Sequence, residues 1–263
     1  MWIPQARRTR ETAAPKRTPL GLAMLLASMA GGMGCATTGG PRGTPASPAP
    51  SLPDGVHWVR NAAEYRAVVL QTYRLAARQI ERLAADCRPG TWAVVADADD
   101  TVIGNSQYQK ERALRGDQFT AESWAEWVRR RQAPPLPGSV GFLNRVRELG
   151  GRIAIVTNRD EPLCADTQAN FQAFSIPFDV MLCRAGRADS DKQRRFDQVA
   201  QGKASPDLPP LEILMWMGDN IQDFPGLKQD IRKGPEDAFA DFGSRFFAFP
   251  NPMYGSWTSN PQE

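Results

Sequence analysis

The chain has 263 residues, 41% of them hydrophobic and 23% charged, enough for one sizeable core and short for two full domains plus a leader. Its net charge of +3 is carried by the first 34 residues, where five basic side chains face one acidic one; the remainder stands near −1 and offers no broad basic face to a nucleic-acid polymer. With a single histidine, His57, zinc sites built from several histidines are excluded and a histidine nucleophile is disfavoured, so hydrolytic chemistry must run mainly on carboxylates, hydroxyls, lysine or a hard metal ion.

A basic stretch through Arg17 precedes an apolar run over Leu20–Met33. That run is short for a bilayer span and fits the apolar region of a signal peptide, so residues 1–34 are read as one. Gly34-Cys35 resembles a bacterial lipoprotein cleavage site, where Cys35 would become the lipidated N-terminus, although Gly32 stands where that pattern prefers leucine. A secreted or periplasmic protein cut nearby is the alternative. Residues 35–53 are rich in Pro, Gly, Ser, Thr and Ala and suit a flexible tether between a lipid anchor and a folded body at 54–263. His57 falls in its linker-like opening segment and reads as an ordinary surface residue. Beyond Cys35 the cysteines are Cys87, Cys164 and Cys183, which allow at most one internal bridge; Cys164–Cys183 is the candidate pair.

In the body, Tyr65, Val69, Tyr73, Ala76, Ile80 and Leu83 recur at steps of three and four and predict a helix over about 61–86. Apolar runs at Trp92–Ala96, Arg152–Val156, Phe178–Leu182, Ile213–Met217 and Arg245–Phe249 predict strands. Helical stretches at about 140–149, 162–174 and 192–200 lie between them. This alternation predicts an α/β fold, a doubly wound parallel sheet, with a small helical cap insertion at about 107–132 that carries Trp124 and Trp127. Pro134-Pro135-Leu136-Pro137-Gly138 returns the chain to the core. In such sheets the active site lies beyond the carboxyl ends of the strands.

The first strand runs into Asp97-Ala98-Asp99-Asp100-Thr101. Alternation puts Asp97 and Asp99 on one side if the strand continues, and Asp100 on the other. Carboxylates this close repel unless a cation or shared proton offsets them, and a hard divalent ion such as magnesium does so with oxygen ligands. One carboxylate can then attack phosphorus while the other protonates the leaving oxygen and later deprotonates water. Thr157-Asn158 at the second strand end can hold phosphate oxygens. Lys192 can offset phosphate charge. Gly218-Asp219-Asn220 and Asp223, at the fourth, supply further acids for the ion.

These four signatures, in this order, resemble the haloacid dehalogenase superfamily. Asn61-Ala62-Ala63-Glu64-Tyr65, Asn105-Ser106, Trp124-Ala125-Glu126-Trp127 and Pro250-Asn251-Pro252-Met253-Tyr254-Gly255-Ser256-Trp257 narrow the resemblance to class C acid phosphatases, bacterial outer-membrane lipoproteins of which some are 5′-nucleotidases. The resemblance covers about residues 57–257. It implies Asp97 as nucleophile and Asp99 as acid/base. It implies Mg2+ on the Asp97 carboxylate, the Asp99 carbonyl and Asp219, with Asp223 supporting the ion's water shell. Thr157, Asn158 and Lys192 would hold the phosphate of a small phosphomonoester, and the domain would sit outside the cytoplasm on the cell envelope, held to the membrane by the anchor. The run Gln109-Lys110-Glu111-Arg112 lacks an aromatic residue that some relatives carry there.

Trp124, Trp127 and Tyr254 are read as stacking on an aromatic leaving group or as cap packing. Trp257 is read as packing or as a contact in a homodimer. Asp100 is read as a local cap, Arg159 as a phosphate contact or a surface ion pair, and Arg194-Arg195 as a solvated helix face. The competing class is a surface lipoprotein that mainly binds or adheres and keeps a vestigial site.

Overall fold

Trp92–Ala96 is apolar at every position because both its faces are covered: it is the central strand, β1, of a five-stranded sheet. The computed structural model describes residues 51–262. The expected signal peptide, Cys35 and most of the tether lie outside them. Among the described residues two helices precede β1, α1 (Asp54–Asn61) and α2 (Ala63–Leu83), so His57 stands on an exposed helical surface rather than in a linker. After β1 come α3 (Ser106–Arg115), α4 (Ala121–Arg130) and α5 (Ser139–Glu148), then β2 (Arg152–Asp160), α6 (Cys164–Ala173), β3 (Val180–Arg184), α7 (Gln193–Ala200), β4 (Glu212–Gly218) and β5 (Phe246–Ala248). The expected insertion is the α3–α4 pair; Thr120 caps α4 by accepting from the Ser123 N–H.

The strands are all parallel, in the order β3-β2-β1-β4-β5. The chain moves outward from β1 to β3, then crosses back to place β4 on the other side of β1. The order therefore reverses between β1 and β4, and a crevice opens at their carboxyl ends. Alternate residues of each strand feed two cores. Val94, Ala96, Ile153, Ile155, Met215 and Met217 pack with the α2 stripe and with Phe142, Leu143 and Val146 of α5. Ala93, Val95, Ala154, Val156 and Trp216 pack on the other face with Phe196 and Val199 of α7. Burying a large apolar side chain contributes about 1.5–3 kcal/mol, so these two layers fix the sheet on which the crevice depends.

Cys164 and Cys183 are joined in a disulfide, which ties the start of α6 to edge strand β3; Cys87 is free. Among the described residues no helix is long and apolar enough to cross a membrane.

Candidate active site

The ladder between β1 and β4 continues one residue past the strand, with the Asp97 N–H donating to the Met217 carbonyl. That register sets Asp97 beside Gly218 and Asp219. Asp223 returns to the same point through a tight turn: its carboxylate accepts from the Asn220 N–H at 2.9 Å, and the Asn220 side chain accepts from the Gln222 N–H. The turn closes only because residue 218 is glycine; a Cβ there would lie 2.2 Å from the Asp223 Cβ.

The result is an acidic cluster in which Asp97 and Asp223 are buried and Asp219 is half-buried. Ligand oxygens of Asp97, Asp219 and Asp223 lie within 4.8 Å of one another. Lys192, just before α7, points into it and holds Asp97 at 2.5 Å and Asp223 at 2.7 Å. Burial alone would lower the Lys192 ammonium's pKa, but the two carboxylates outweigh it and hold the group protonated. One ammonium does not balance three acids. Burial, opposed by Lys192 and reinforced by Asp223 and Asp99, pushes Asp97 up to about 7. Burial, then Asp223 and Asp97, drives Asp219 well above the carboxylate range, although Asn251 donates to it at 2.7 Å. An all-oxygen set with uncompensated repulsion fits a hard divalent cation.

Asp97 and Asp99 do not share a strand face, because β1 ends at Ala96 and the chain turns. Asp99 instead meets Arg159 at the end of β2. The guanidinium donates to both Asp99 oxygens, from Nε at 3.0 and 3.1 Å and from Nη2 at 2.7 Å. Arg159 is 2% exposed, so it is an internal ion pair and not a surface one. Asp100 adopts a left-handed backbone, φ 50°. It accepts from the Asn105 N–H, a local partner as expected, and also from the Tyr254 hydroxyl far along the chain. Burial pushes Asp100 up to about 6 against those bonds.

Thr157 is fully buried and its hydroxyl accepts from the Arg159 N–H. Asn158 faces the crevice with its amide oxygen bonded to Arg195 and one N–H on the Ser190 carbonyl. Arg195 corrects the expectation of a solvated face: it is 1% exposed and also donates to the Thr157 carbonyl at 2.5 Å, while Arg194 lies outside. Three residues after Lys192 on a helix, Arg195 shares its face, a spacing that could have flagged it.

Above the cluster opens a cavity of about 830 Å3, whose walls include Asp97, Asp99, Asn158, Lys192, Asp219, Asp223, Tyr254 and, from the cap, Trp124. Trp127 is not among them. It is 2% exposed and donates its indole N–H to the Asn105 side chain at 2.8 Å. Asn105 and Asn251, which position acids of the site, carried no chemical signal of their own in the sequence.

The strand order, with an acidic cluster at its reversal point, defines a member of the haloacid dehalogenase superfamily. Within it the chain belongs to subfamily IIIB, the acid phosphatases: the model of "HAD superfamily, subfamily IIIB (Acid phosphatase)" matches residues 42–257. The structure is similar to that of the class C acid phosphatase from Bacillus anthracis, with 28% identity, 77% of this chain and 84% of that chain covered, and a TM-score of 0.69; against the same enzyme with tungstate bound the TM-score is 0.70. The chain is also similar to the stem 28 kDa glycoprotein of Glycine max, 27% identical over 61% of this chain and 58% of that one, and to its stem 31 kDa glycoprotein, 30% identical over 59% and 56%. It thus spans a little under three fifths of the length of these plant relatives.

Proposed function

We propose that this chain is a magnesium-dependent acid phosphatase that hydrolyses small phosphomonoesters through an aspartyl-phosphate on Asp97. The observation that carries this reading is the cluster of Asp97, Asp219, Asp223 and Lys192 at the floor of a cavity large enough for a nucleotide-sized molecule. Asp97, Asp219 and Asp223 would hold the ion, with the Asp99 carbonyl as a further ligand. Bound there, magnesium supplies positive charge that offsets the phosphate oxygens.

Lys192 offers its ammonium to the same oxygens, and Asn158, fixed by Arg195, lines their approach. The Asp97 carboxylate attacks phosphorus. Asp99 gives a proton to the departing oxygen, then takes one from the water that cleaves the acyl phosphate. Trp124 and Tyr254 offer apolar surface to the leaving group, which favours nucleoside 5′-monophosphates among phosphomonoesters. The tungstate-bound form of the Bacillus anthracis enzyme supports an oxyanion-binding site in that fold. Export, a lipid anchor at Cys35 and attachment to the cell envelope belong to the same reading and rest on the apolar run before Gly34-Cys35.

The test is hydrolysis of p-nitrophenyl phosphate, with and without magnesium, by the wild type and by Asp97→Asn. Metal-dependent turnover is expected in the wild type, with a loss of about 10^4-fold or more in the variant. No turnover by the wild type between about pH 4 and pH 8 would sink the reading.

A further inference from the structure

Asp99 is held from the end of β2 as well as from its own loop. Arg159 grips both its oxygens, and the Asn105 amide N–H2 adds a bond to one of them at 2.8 Å. Arg159 and Asn105 also touch each other, and each is fixed from elsewhere. Arg159 Nη1 donates to the Thr167 hydroxyl of α6 at 3.2 Å, and that hydroxyl donates to the Leu163 carbonyl. Asn105 takes the Trp127 indole N–H of α4. The guanidinium lies 5.3 Å from the Trp124 ring centroid, within range of a cation–π contact. The cap helix α4 therefore reaches Asp99 by two routes, Trp124 through Arg159 and Trp127 through Asn105.

Arg159 has little left for a substrate. A guanidinium offers five N–H donors; Nε and Nη2 are spent on Asp99 and Asn105, and one of the Nη1 donors on Thr167. It is also 2% exposed. Arg159 borders the cavity, but its Nε and Nη2 donors are turned to Asp99 and Asn105 rather than into the open space.

We propose that Arg159 is a positioning residue, which with Asn105 aims the Asp99 carboxyl at the leaving-group oxygen and ties that aim to the cap. This rests on the phosphatase reading given above. In the step concerned, the bond from phosphorus to the leaving oxygen breaks as the Asp97–phosphorus bond forms, and the leaving oxygen takes the Asp99 proton. In the second half, water oxygen replaces Asp97 on phosphorus and its proton returns to Asp99. Misaiming Asp99 costs most where the leaving oxygen most needs that proton.

The experiment compares kcat/KM for p-nitrophenyl phosphate, a good leaving group, with that for phenyl phosphate, a poor one of the same ring size. Inhibition by inorganic phosphate is measured alongside. For Arg159→Lys, which keeps the charge and loses the planar fork, the expected loss is about tenfold or less with the nitrophenyl ester and about 10^2-fold or more with the phenyl ester. Phosphate inhibition is expected to stay within about twofold. Trp127→Phe, which keeps a packed ring and removes only the donor to Asn105, is expected to move the ratio the same way by less; it serves if Arg159→Lys melts below the assay temperature. Equal losses on the two esters in both variants overturn the proposal, and so does weakened phosphate inhibition, which would make Arg159 a direct ligand. Failure of the wild type to hydrolyse either ester overturns the phosphatase reading and this inference with it.

Discussion

Gly218 carries more of the site than its size suggests. The Asp223 Cβ would stand 2.2 Å from any Cβ at that position, so Gly218→Ala must push the turn away and carry Asp223 off Lys192. Magnesium affinity is expected to weaken by about 10–100-fold and folding stability to fall by about 1–3 kcal/mol. Isothermal titration with magnesium and urea unfolding check the two halves; unchanged affinity would show that Asp223 does not serve the ion. At this scale the sequence was informative wherever a residue's chemistry is rare at a strand end. Asp97 and Asp219 stood out because an acid beside a buried strand needs a reason, and Lys192 because it stands between those signatures at the start of a helix. Arg159 was left between a phosphate contact and a surface pair and Arg195 was read as solvated, because arginine is ordinary on surfaces, and only the packing shows them inside the protein. Trp127 was placed on the right helix but could not be assigned a side of it, since Trp124 and Trp127 differ by one helical step and both are apolar.

Among the elements, α6 and β3 are joined by a covalent link as well as by packing. The closed loop, Cys164 to Cys183, has a sequence separation of 19, and on chain-entropy grounds its closure is worth about 3 kcal/mol. The double substitution Cys164→Ser, Cys183→Ser is therefore expected to lose about that much stability in urea, and reductant is expected to destabilise the wild type but not the double variant. A reductant effect of equal size in both would show that it does not act through this bridge. Leu163 and Arg184, the neighbours of the bridged cysteines, line the cavity, so KM is the kinetic constant to watch. Elements were the most legible level. A strand buried on both faces is an unbroken apolar run, and a one-sided helix repeats at three and four residues. The edges were less so. Strand β3 begins two residues later than its apolar run, at Val180, and β5 keeps only Phe246–Ala248, because edge strands pair on one side and hydrogen bonding ends before hydrophobicity does.

For the whole molecule, the acidic cluster makes stability depend on pH. Asp97 is pushed up to about 7 and Asp219 well above its ordinary value, while in the unfolded chain both ionise near 3.8. A raised folded value stabilises fully below the unfolded one and loses its effect as pH rises through the folded one. The metal-free protein is thus expected to lose on the order of 5 °C in Tm between about pH 5 and about pH 7.5. Millimolar magnesium, which favours the ionised carboxylates, is expected to restore Tm at the upper pH and to do little at the lower. A metal-free Tm that climbs through this window would contradict the charge arrangement. The sheet order behind the cluster was not readable from local patterns, which give alternation but not which side of β1 receives β4. The acids that follow β1 and β4 in the sequence were what pointed to the crevice.

The bonds from Tyr254 to Asp100 and from Asn251 to Asp219 also set a clock on synthesis. Asp100 is made 154 residues before Tyr254, roughly 8–30 s earlier at about 5–20 residues per second. Through that interval the sheet can begin to form while its acids lack their last partners. The nascent chain is therefore expected to stay catalytically silent until its final segment docks. A protease that clips after β5 would leave every strand in place and still return the enzyme to that unfinished state.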